Sequence, residues 1–550
     1  MMLLTKIKQH GQGLRSLPML PFLLVALVVL PVLVVGSALL TPTQEVWTHL
    51  WRTLLPVMMG NTLLLVLGVG TGTLILGVSL AWLVTAYRFP GRGLLEWLLV
   101  LPMAVPAYVQ GYVYMATFDT AGPVQTALRP HFTDMGWFPE IRSGIGAILV
   151  MTLVLYPYVY LLARAAFRET SGALLEAART MGHSPTMVFF RVVLPLARPS
   201  IVAGVALAIM EALADFATVR FFNFPTLSDG VIRVWHGMMD LRAASELAGL
   251  LALVALVVLL LEHAMRGRSR YFQTGGKAPR IAAVPLVGWR GWMALAGSLL
   301  VVAVAFVLPA GQLLAWTLQE LPRQPPGTLA VYAELARNSI VLSALAAFFA
   351  TLTALLIASG IRLSSSRVAF VLGRLATSGY AMTGAVIAVG IMVPLSAFDH
   401  ALNNFLLQVR GVDVGLVLTG SVVGLVYAYV VRFIANSFSS IDASLEKITP
   451  NIIAAARVLG ASPWRLLWQI KFPLILPGML AGATLVFADV MKELPITMML
   501  RPFGQDTLAI WVWQMAAESL WSGASLPALI IVLVGLLPVV FLVRLGNIKN

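Results

Sequence analysis

Cysteine is absent from the 550-residue chain, and with it go thiolate metal centres, disulfides and thiol nucleophiles. Charge is scarce as well. Asp, Glu, Lys and Arg make up 11% of the residues against 59% hydrophobic ones, and the mean hydropathy is +0.90. No water-soluble chain of this length has that balance, so the composition predicts an all-α integral membrane protein that crosses the bilayer many times. No G-x-x-x-x-G-K-[ST] sequence occurs, which removes the phosphate-cradling loop, so any ATP is hydrolysed by another chain. The seven histidines, His10, His49, His131, His183, His236, His263 and His400, are scattered without a His-Glu-x-x-His or other paired ligand spacing. No metal site is certain from them, and enzymatic chemistry is not expected.

The charge that remains is mostly of one sign: 37 basic against 23 acidic residues, a formal net charge of +14. The basic residues gather between apolar runs, where they orient helices and meet anionic headgroups. A lipid bilayer, not a nucleic acid, is the partner this implies. Apolar runs of spanning length fall near residues 17–40, 61–86, 94–117, 145–167, 198–222 and 245–263, then 291–314, 338–360, 368–394, 415–436, 476–500 and 526–545. The first run is too long for a secretory h-region and lacks a small-x-small cleavage site, so it is read as a span.

These runs divide the chain into a first half, 1–263, a basic linker, 264–290, and a second half, 291–550. The linker holds Arg266, Arg268, Arg270, Lys277, Arg280 and Arg290 with no acid, and reads as a solvated charge run. If basic short loops stay inside, both termini and the linker are cytoplasmic, and the two six-span halves are parallel repeats.

The repeat is written most clearly in two polar interruptions. Residues 176–195 read EAARTMGHSPTMVFFRVVLP and residues 454–473 read AAARVLGASPWRLLWQIKFP. Ala177-Ala178 match Ala455-Ala456, Gly182 matches Gly460 (460 − 182 = 278), and Pro195 matches Pro473. Each copy spells an alanine-rich helix, a glycine suited to a left-handed helix stop, and Ser-Pro suited to the N-cap and first position of a second helix. The closing Leu194-Pro195 and Phe472-Pro473 are expected to end that second helix. The duplication extends to Asn61-Thr62 and Asn338-Ser339 (338 − 61 = 277), and to Trp235 and Trp513 (513 − 235 = 278).

The two interruptions resemble the EAA loop of ABC-importer permeases, the cytoplasmic element that docks on the ATP-hydrolysing subunit. The first copy has the family's Glu-Ala-Ala, glycine and Leu-Pro, whereas the second has Ala454 in place of the glutamate and Phe472 in place of the leucine. The resemblance implies a type I importer fold and a fused permease in the bacterial plasma (inner) membrane. It assigns ATPase coupling to Glu176, Ala177, Ala178, Gly182 and Pro195 and to Ala455, Ala456, Gly460 and Pro473. The implied partners are ABC ATPase subunits, expected as a homodimer, and a periplasmic or extracellular substrate-binding protein. No cofactor is expected on this chain; ATP is used by the ATPase.

Four acids stand in runs that hydropathy would leave apolar: Glu211 and Asp215 in the first half, Asp489 and Glu493 in the second, matched at 278 (211 + 278 = 489; 215 + 278 = 493). Within each pair the i,i+4 spacing would stack both carboxylates on one helical face. Two roles fit: an acidic translocation path for a hard cation, or pairing with Arg220, Lys492 or Arg501 that locks helices or gates the pore. The stretch from Asp489 to Ala509, DVMKELPITMMLRPFGQDTLA, with Ala214-Asp215-Phe216 and Val231 to Met238, resembles the iron(III) branch of fused ABC permeases and implies iron(III) import. Thiamine, polyamines and phosphonates are alternative cargoes of the same architecture. An ATP-independent secondary carrier is a further alternative that the paired loops disfavour.

Overall fold

The computed structural model describes residues 19–40, 44–132, 136–170, 180–182, 184–266, 283–362, 367–377, 379 and 382–548. Helix dominates because a chain this apolar must satisfy its backbone hydrogen bonds within each segment. Among the described residues, eleven helices are long and apolar enough to cross a membrane, and a twelfth is obtained by counting the bent pair Arg92–Ala104 and Ala107–Leu128 as one. Counted so, six precede the linker and six follow it.

Several spans differ from the apolar runs. The run at 94–117 is not one straight helix: its two parts meet at 89°, where Pro106, with no amide hydrogen, stands at φ −59°, ψ 145° before the helix Ala107–Phe118. The run at 368–394 is split into Arg367–Ala376 and Gly384–Arg410, the second capped by Thr383, whose hydroxyl accepts from Val386 N–H at 3.4 Å. The run at 415–436 gives way to Val422–Leu445, capped by Ser421. In the segment before it, the Asp399 carboxylate accepts from the N–H groups of Leu418 and Thr419. The fifth and eleventh spans lie earlier in sequence than hydropathy places them, at Thr186–Ala214 and Trp468–Met491.

The linker is not a free charge run throughout. Residues 267–282 lie outside the described residues, but Val284–Pro285 forms a parallel two-residue strand with Tyr87–Arg88, and Leu286 N–H donates to the Arg88 carbonyl at 2.8 Å.

The described helices group into two compact units that partition the chain differently from its sequence halves. One comprises residues 1–43, 234–252 and 326–511; the other comprises 44–233, 253–325 and 512–550. In the first unit, Thr328–Arg362, Val422–Leu445 and Phe472–Met491 pack against one another. Met19–Ala38 joins them from the other sequence half, its Leu27 carbonyl accepting from the Tyr427 hydroxyl at 2.6 Å. In the second unit, Leu55–Ala86, Gly144–Glu169 and Leu194–Ala214 form the matching three-helix core. There the stretch Trp289–Glu320, from the second sequence half, completes the group, with the Tyr114 hydroxyl donating to the Val304 carbonyl at 2.5 Å.

Both cores close on the same device. A Cβ placed on Gly204 would lie 2.8 Å from the Val159 Cα, and one on Gly482 would lie 2.7 Å from the Ser437 Cα. Both pairs are repeat-related (204 + 278 = 482; 159 + 278 = 437). Backbone-to-backbone approach of this kind is how helices associate in lipid, where no hydrophobic drive separates side chain from solvent.

Candidate functional site

The second interruption is described throughout. Pro450–Val458 is helical, with Ala455 exposed and Ala456 buried. Gly460 follows at φ +79°, and the helix closes by Leu459 N–H to the Ala455 carbonyl, 3.0 Å, and Ala461 N–H to the Ala456 carbonyl, 3.0 Å. The six-to-one bond across a left-handed glycine is a Schellman stop. Ser462 then caps the next helix, its hydroxyl accepting from Arg465 N–H at 3.3 Å. Val458, Leu459 and Trp464 are 87%, 85% and 70% exposed, so the turn presents an apolar tip.

In the first interruption, Glu176, Ala177 and Ala178 lie outside the described residues. At Gly182 and Ser184 the second copy's geometry recurs: φ is +84° at Gly182, and the Ser184 hydroxyl accepts from Met187 N–H at 3.3 Å.

The prolines do not end the second helix of either loop. Pro185–Val188 runs through a π-helical stretch, Phe189–Val193, into Leu194–Ala214. Pro463–Arg465 runs through Leu466–Lys471 into Phe472–Met491. Pro195 and Pro473 each follow a π segment after one intervening residue, and the wider i→i+5 bonding of that segment loosens the turn that a proline ring would otherwise crowd. Loop and span are thereby one continuous rod. Aromatic rings brace both joints: Phe189 lies 4.8 Å from Trp82, and Trp468 lies 5.5 Å from Trp464 and 5.1 Å from Phe472, centroid to centroid.

The four acids do not stack in pairs on one helical face. In each half the helix ends before the second acid. Leu194–Ala214 stops at Asp215, which at φ −91°, ψ 106° caps the short helix Phe216–Phe221. Its carboxylate accepts from Thr218 N–H at 2.9 Å and from the Thr218 hydroxyl at 2.5 Å. Phe472–Met491 stops before Glu493. That buried carboxylate accepts from the N–H groups of Ile496 and Thr497, 2.9 and 3.0 Å, at the start of Pro495–Leu500. The Thr497 hydroxyl is also 2.7 Å from that of Tyr429. A Cβ on Gly384 would meet Glu493 Oε1 at 2.8 Å, and the Arg432 guanidinium converges on the same spot. Asp489 accepts from the Asn436 amide at 2.8 Å and pairs with Lys492 at 3.0 Å. Glu211 is half-buried, within electrostatic reach of Asp215. Glu211 and Asp215 belong to one compact unit, Asp489 and Glu493 to the other. Of the three cations expected against these acids, Lys492 takes Asp489, Arg501 takes Asp506, and Arg220 lies 5.8 Å over the Trp513 ring. No group of three or more His, Asp or Glu able to hold a metal ion occurs among the described residues.

Two further constellations emerge only in three dimensions. The Asn61 amide donates to the Pro225 carbonyl at 2.9 Å, and Thr62 accepts Leu227 N–H at 3.0 Å. In the other half, the Asn338 amide donates to the Asp506 carbonyl at 3.2 Å, and Ser339 accepts Leu508 N–H at 2.9 Å. Leu227 and Leu508 are the first residues of Leu227–Gly237 and Leu508–Ala517, so each dipeptide caps a distant helix. Their recurrence at one spacing was the sequence signal. The second is Gln110, fully buried on Ala107–Phe118, neither end of whose amide has a partner among the described residues; a lone glutamine in AYVQGYVYMATF gave little warning.

Residues 73–266, which contain the first interruption and the acids Glu211 and Asp215, match the profile of the binding-protein-dependent transport system inner membrane component family. The chain is 26% identical over 498 residues to the Fe(3+)-transport system permease protein FbpB 2 of Haemophilus influenzae, covering 90% of each. It is 30% identical over 199 residues to the sulfate transport system permease protein CysT of Escherichia coli, covering 35% of this chain and 70% of that one. It is 33% identical over 148 residues to the molybdenum transport system permease protein ModB of the same organism, 27% of this chain and 63% of that one. Proteins of this kind are permeases, not enzymes, and act in the inner membrane with a separate ATP-hydrolysing component and a substrate-binding protein. With two repeat-related loops, each continuous with a span, the chain belongs to the binding-protein-dependent transport system inner membrane component family, as the permease of an ABC importer.

Proposed function

We propose that this permease imports iron(III). The observation that carries the reading is the match to an Fe(3+)-transport permease along 90% of both chains, whereas the sulfate and molybdenum permeases match 35% and 27% of this chain. In this reading one polypeptide supplies both halves of the passage, and a homodimeric ATPase docks on the two loops with both termini on the same, cytoplasmic side. Ala455, Ala456, Gly460 and Pro473, with Glu176, Ala177, Ala178, Gly182 and Pro195, form the coupling surface. The exposed tip at Val458, Leu459 and Trp464 and the unbroken helix behind it support this: a push on the loop is carried along a rod into the span. That rod ends where Asp215 or Glu493 caps the next helix, so these acids terminate the moving element. Whether their charge also meets the cargo is decided by transport through neutral, cap-preserving variants. ATP is bound by the partner and no cofactor by this chain.

The test is uptake of labelled iron(III) into proteoliposomes containing this chain, its ATPase and its binding protein, with sulfate and molybdate as competing cargoes. ATP-dependent iron uptake unaffected by either oxyanion supports the proposal. Oxyanion uptake without iron uptake refutes it.

A further inference from the structure

One buried carboxylate holds three guanidinium groups. Glu96 is buried on the short helix Arg92–Leu98. One of its oxygens pairs with Arg92 at 3.2 Å, and the other pairs with Arg164 and, at 2.6 Å, with Arg168, both near the end of Gly144–Glu169. The walls add no negative charge: the Tyr160 hydroxyl donates to the Glu96 carbonyl at 3.0 Å, and Arg164 lies 5.1 Å over the Trp97 ring. Three cations on one anion leave an excess of two positive charges (3 − 1 = 2). Acceptors are short as well, since the Nε of buried Arg164 has none among the described residues.

The ordinary basic bias of short loops does not account for this cluster. Loop arginines stand in water, whereas here like charges converge on one point and the innermost is buried, an arrangement that persists only where opposite charge compensates it. Nor does the repeat require it. The matching long helix Val422–Leu445 starts from the cap Ser421 as Gly144–Glu169 starts from Ser143 (143 + 278 = 421). It places Asp442 and Glu446 where Arg164 and Arg168 stand (164 + 278 = 442; 168 + 278 = 446). Those two acids lie against one base, Arg362, at 2.8 and 3.7 Å. The basic excess therefore belongs to the first half.

The surrounding elements set its depth. Leu55–Ala86 ends six residues before Arg92 (92 − 86 = 6), and Gly144–Glu169 ends one residue after Arg168 (169 − 168 = 1), so the cluster stands where two spans leave the hydrocarbon. The helix Trp289–Val302 packs alongside: Ala294 and Leu295 lie against the core cluster that holds Leu95, and a Cβ on Gly91 would lie 3.2 Å from the Leu295 side chain. Trp289 and Trp292 in its first turn are exposed, as is Leu94 on the short helix. Exposed tryptophan at the end of a span marks the headgroup level. The Arg168 and Arg92 side chains are 42% and 25% exposed, so the two outer cations open onto that level.

We propose that Arg92, Arg164 and Arg168 hold the phosphate of an anionic phospholipid, in the leaflet that the proposed orientation makes cytoplasmic. Guanidinium forks match phosphate oxygens, and basic pockets at the cytoplasmic ends of spans suit such headgroups. The exposed apolar side chains beside the arginines suit the acyl chains. A soluble phosphate compound shares the headgroup chemistry but has no use for that apolar surface. The inference rests on the membrane assignment and not on the cargo.

The test follows the melting temperature of the full-length chain in neutral detergent as phosphatidylglycerol or phosphatidylcholine is added. Arg92→Gln with Arg168→Gln removes the two outer cations and leaves Glu96 paired with Arg164. Arg198→Gln with Arg266→Gln is the control: it removes two exposed arginines of the same sequence half and changes the net charge equally. The expected result is that phosphatidylglycerol stabilises the native chain and the control at concentrations where phosphatidylcholine does not. The first variant should need about tenfold more of it for the same shift. If that variant does not accumulate, Arg168→Gln alone carries the comparison, with a loss of about fivefold. An unchanged response in the variants, or an equal loss in the control, would overturn the proposal and leave the cluster as ion pairs in a general basic surface. Stabilisation of the native chain by inorganic pyrophosphate that also abolishes the lipid response would overturn the lipid assignment in favour of a soluble phosphate ligand.

Discussion

Replacing Gly460 with alanine tests the mechanical role proposed for the second loop. The residue stands at φ +79°, where an L side chain costs about 1–2 kcal/mol because its Cβ crowds the following carbonyl. Nothing lies within 4 Å of the position a Cβ would take, so that strain is the whole penalty and no collision with a neighbour is added. A difference of about 1.4 kcal/mol is tenfold in an equilibrium. The loop therefore has an about five- to thirty-fold smaller chance of holding the two bonds that set the angle of its second helix, Gly460 N–H to the Arg457 carbonyl and Ala461 N–H to the Ala456 carbonyl. The assay is the ratio of iron transported to ATP hydrolysed in reconstituted assemblies, with ATPase binding measured separately. The expected outcome is a ratio several-fold lower for Gly460→Ala, a milder loss for Gly460→Asn, since asparagine tolerates the left-handed region, and the same order at Gly182, at φ +84°. Gly297→Ala is the control: its surroundings are equally empty, but it lies within the helix Trp289–Val302, where alanine is favoured. Unchanged coupling in Gly460→Ala, or equal losses for Gly460→Ala and Gly297→Ala, would refute the reasoning.

Other consequences follow from the same geometry. Gly204→Ala and Gly482→Ala force a Cβ into a facing backbone at 2.8 and 2.7 Å; each should destabilise the protein by about 1–3 kcal/mol, seen as a lower melting temperature in detergent. Thr62→Val and Ser339→Ala leave the first N–H of Leu227–Gly237 and of Leu508–Ala517 without an acceptor, a loss of about 1–3 kcal/mol each. Amide exchange at Leu227 or Leu508 should rise selectively, and unchanged protection would count against the capping role. Asp215→Asn keeps a good N-cap while removing the charge, whereas Asp215→Ala loses about 1 kcal/mol of capping. Melting should separate the two, and iron uptake by the asparagine variant reads the charge alone.

The duplication, the membrane class and the two loop turns were legible because they are written in local residues. Gly182 and Gly460, each two positions before Ser-Pro, specify a stop and a restart wherever the chain places them. The expectation that Pro195 and Pro473 would break the helix applied a sound local rule, but it missed that one extra residue per turn in the preceding π segment accommodates the ring. The i,i+4 acids failed for a related reason. Spacing implies a shared face only while the helix continues, and Asp215 and Glu493 are themselves the residues that begin the next one.

What the sequence by itself determined is the chemistry that needs no neighbour: a bilayer protein from its composition, six spans per half from apolar length, and two helix-stop turns from glycine and Ser-Pro. Only the tertiary structure decided that Met19–Ala38 and Trp289–Glu320 join the other half's core, that Gly204 and Gly482 are crossing points, and that Asn61-Thr62 and Asn338-Ser339 cap helices far along the chain. Inside lipid, hydropathy tells a helix to enter but not which helix to lie against. That choice rests on close backbone approach and a few buried polar bonds, and both are properties of pairs of segments that no single stretch of sequence contains.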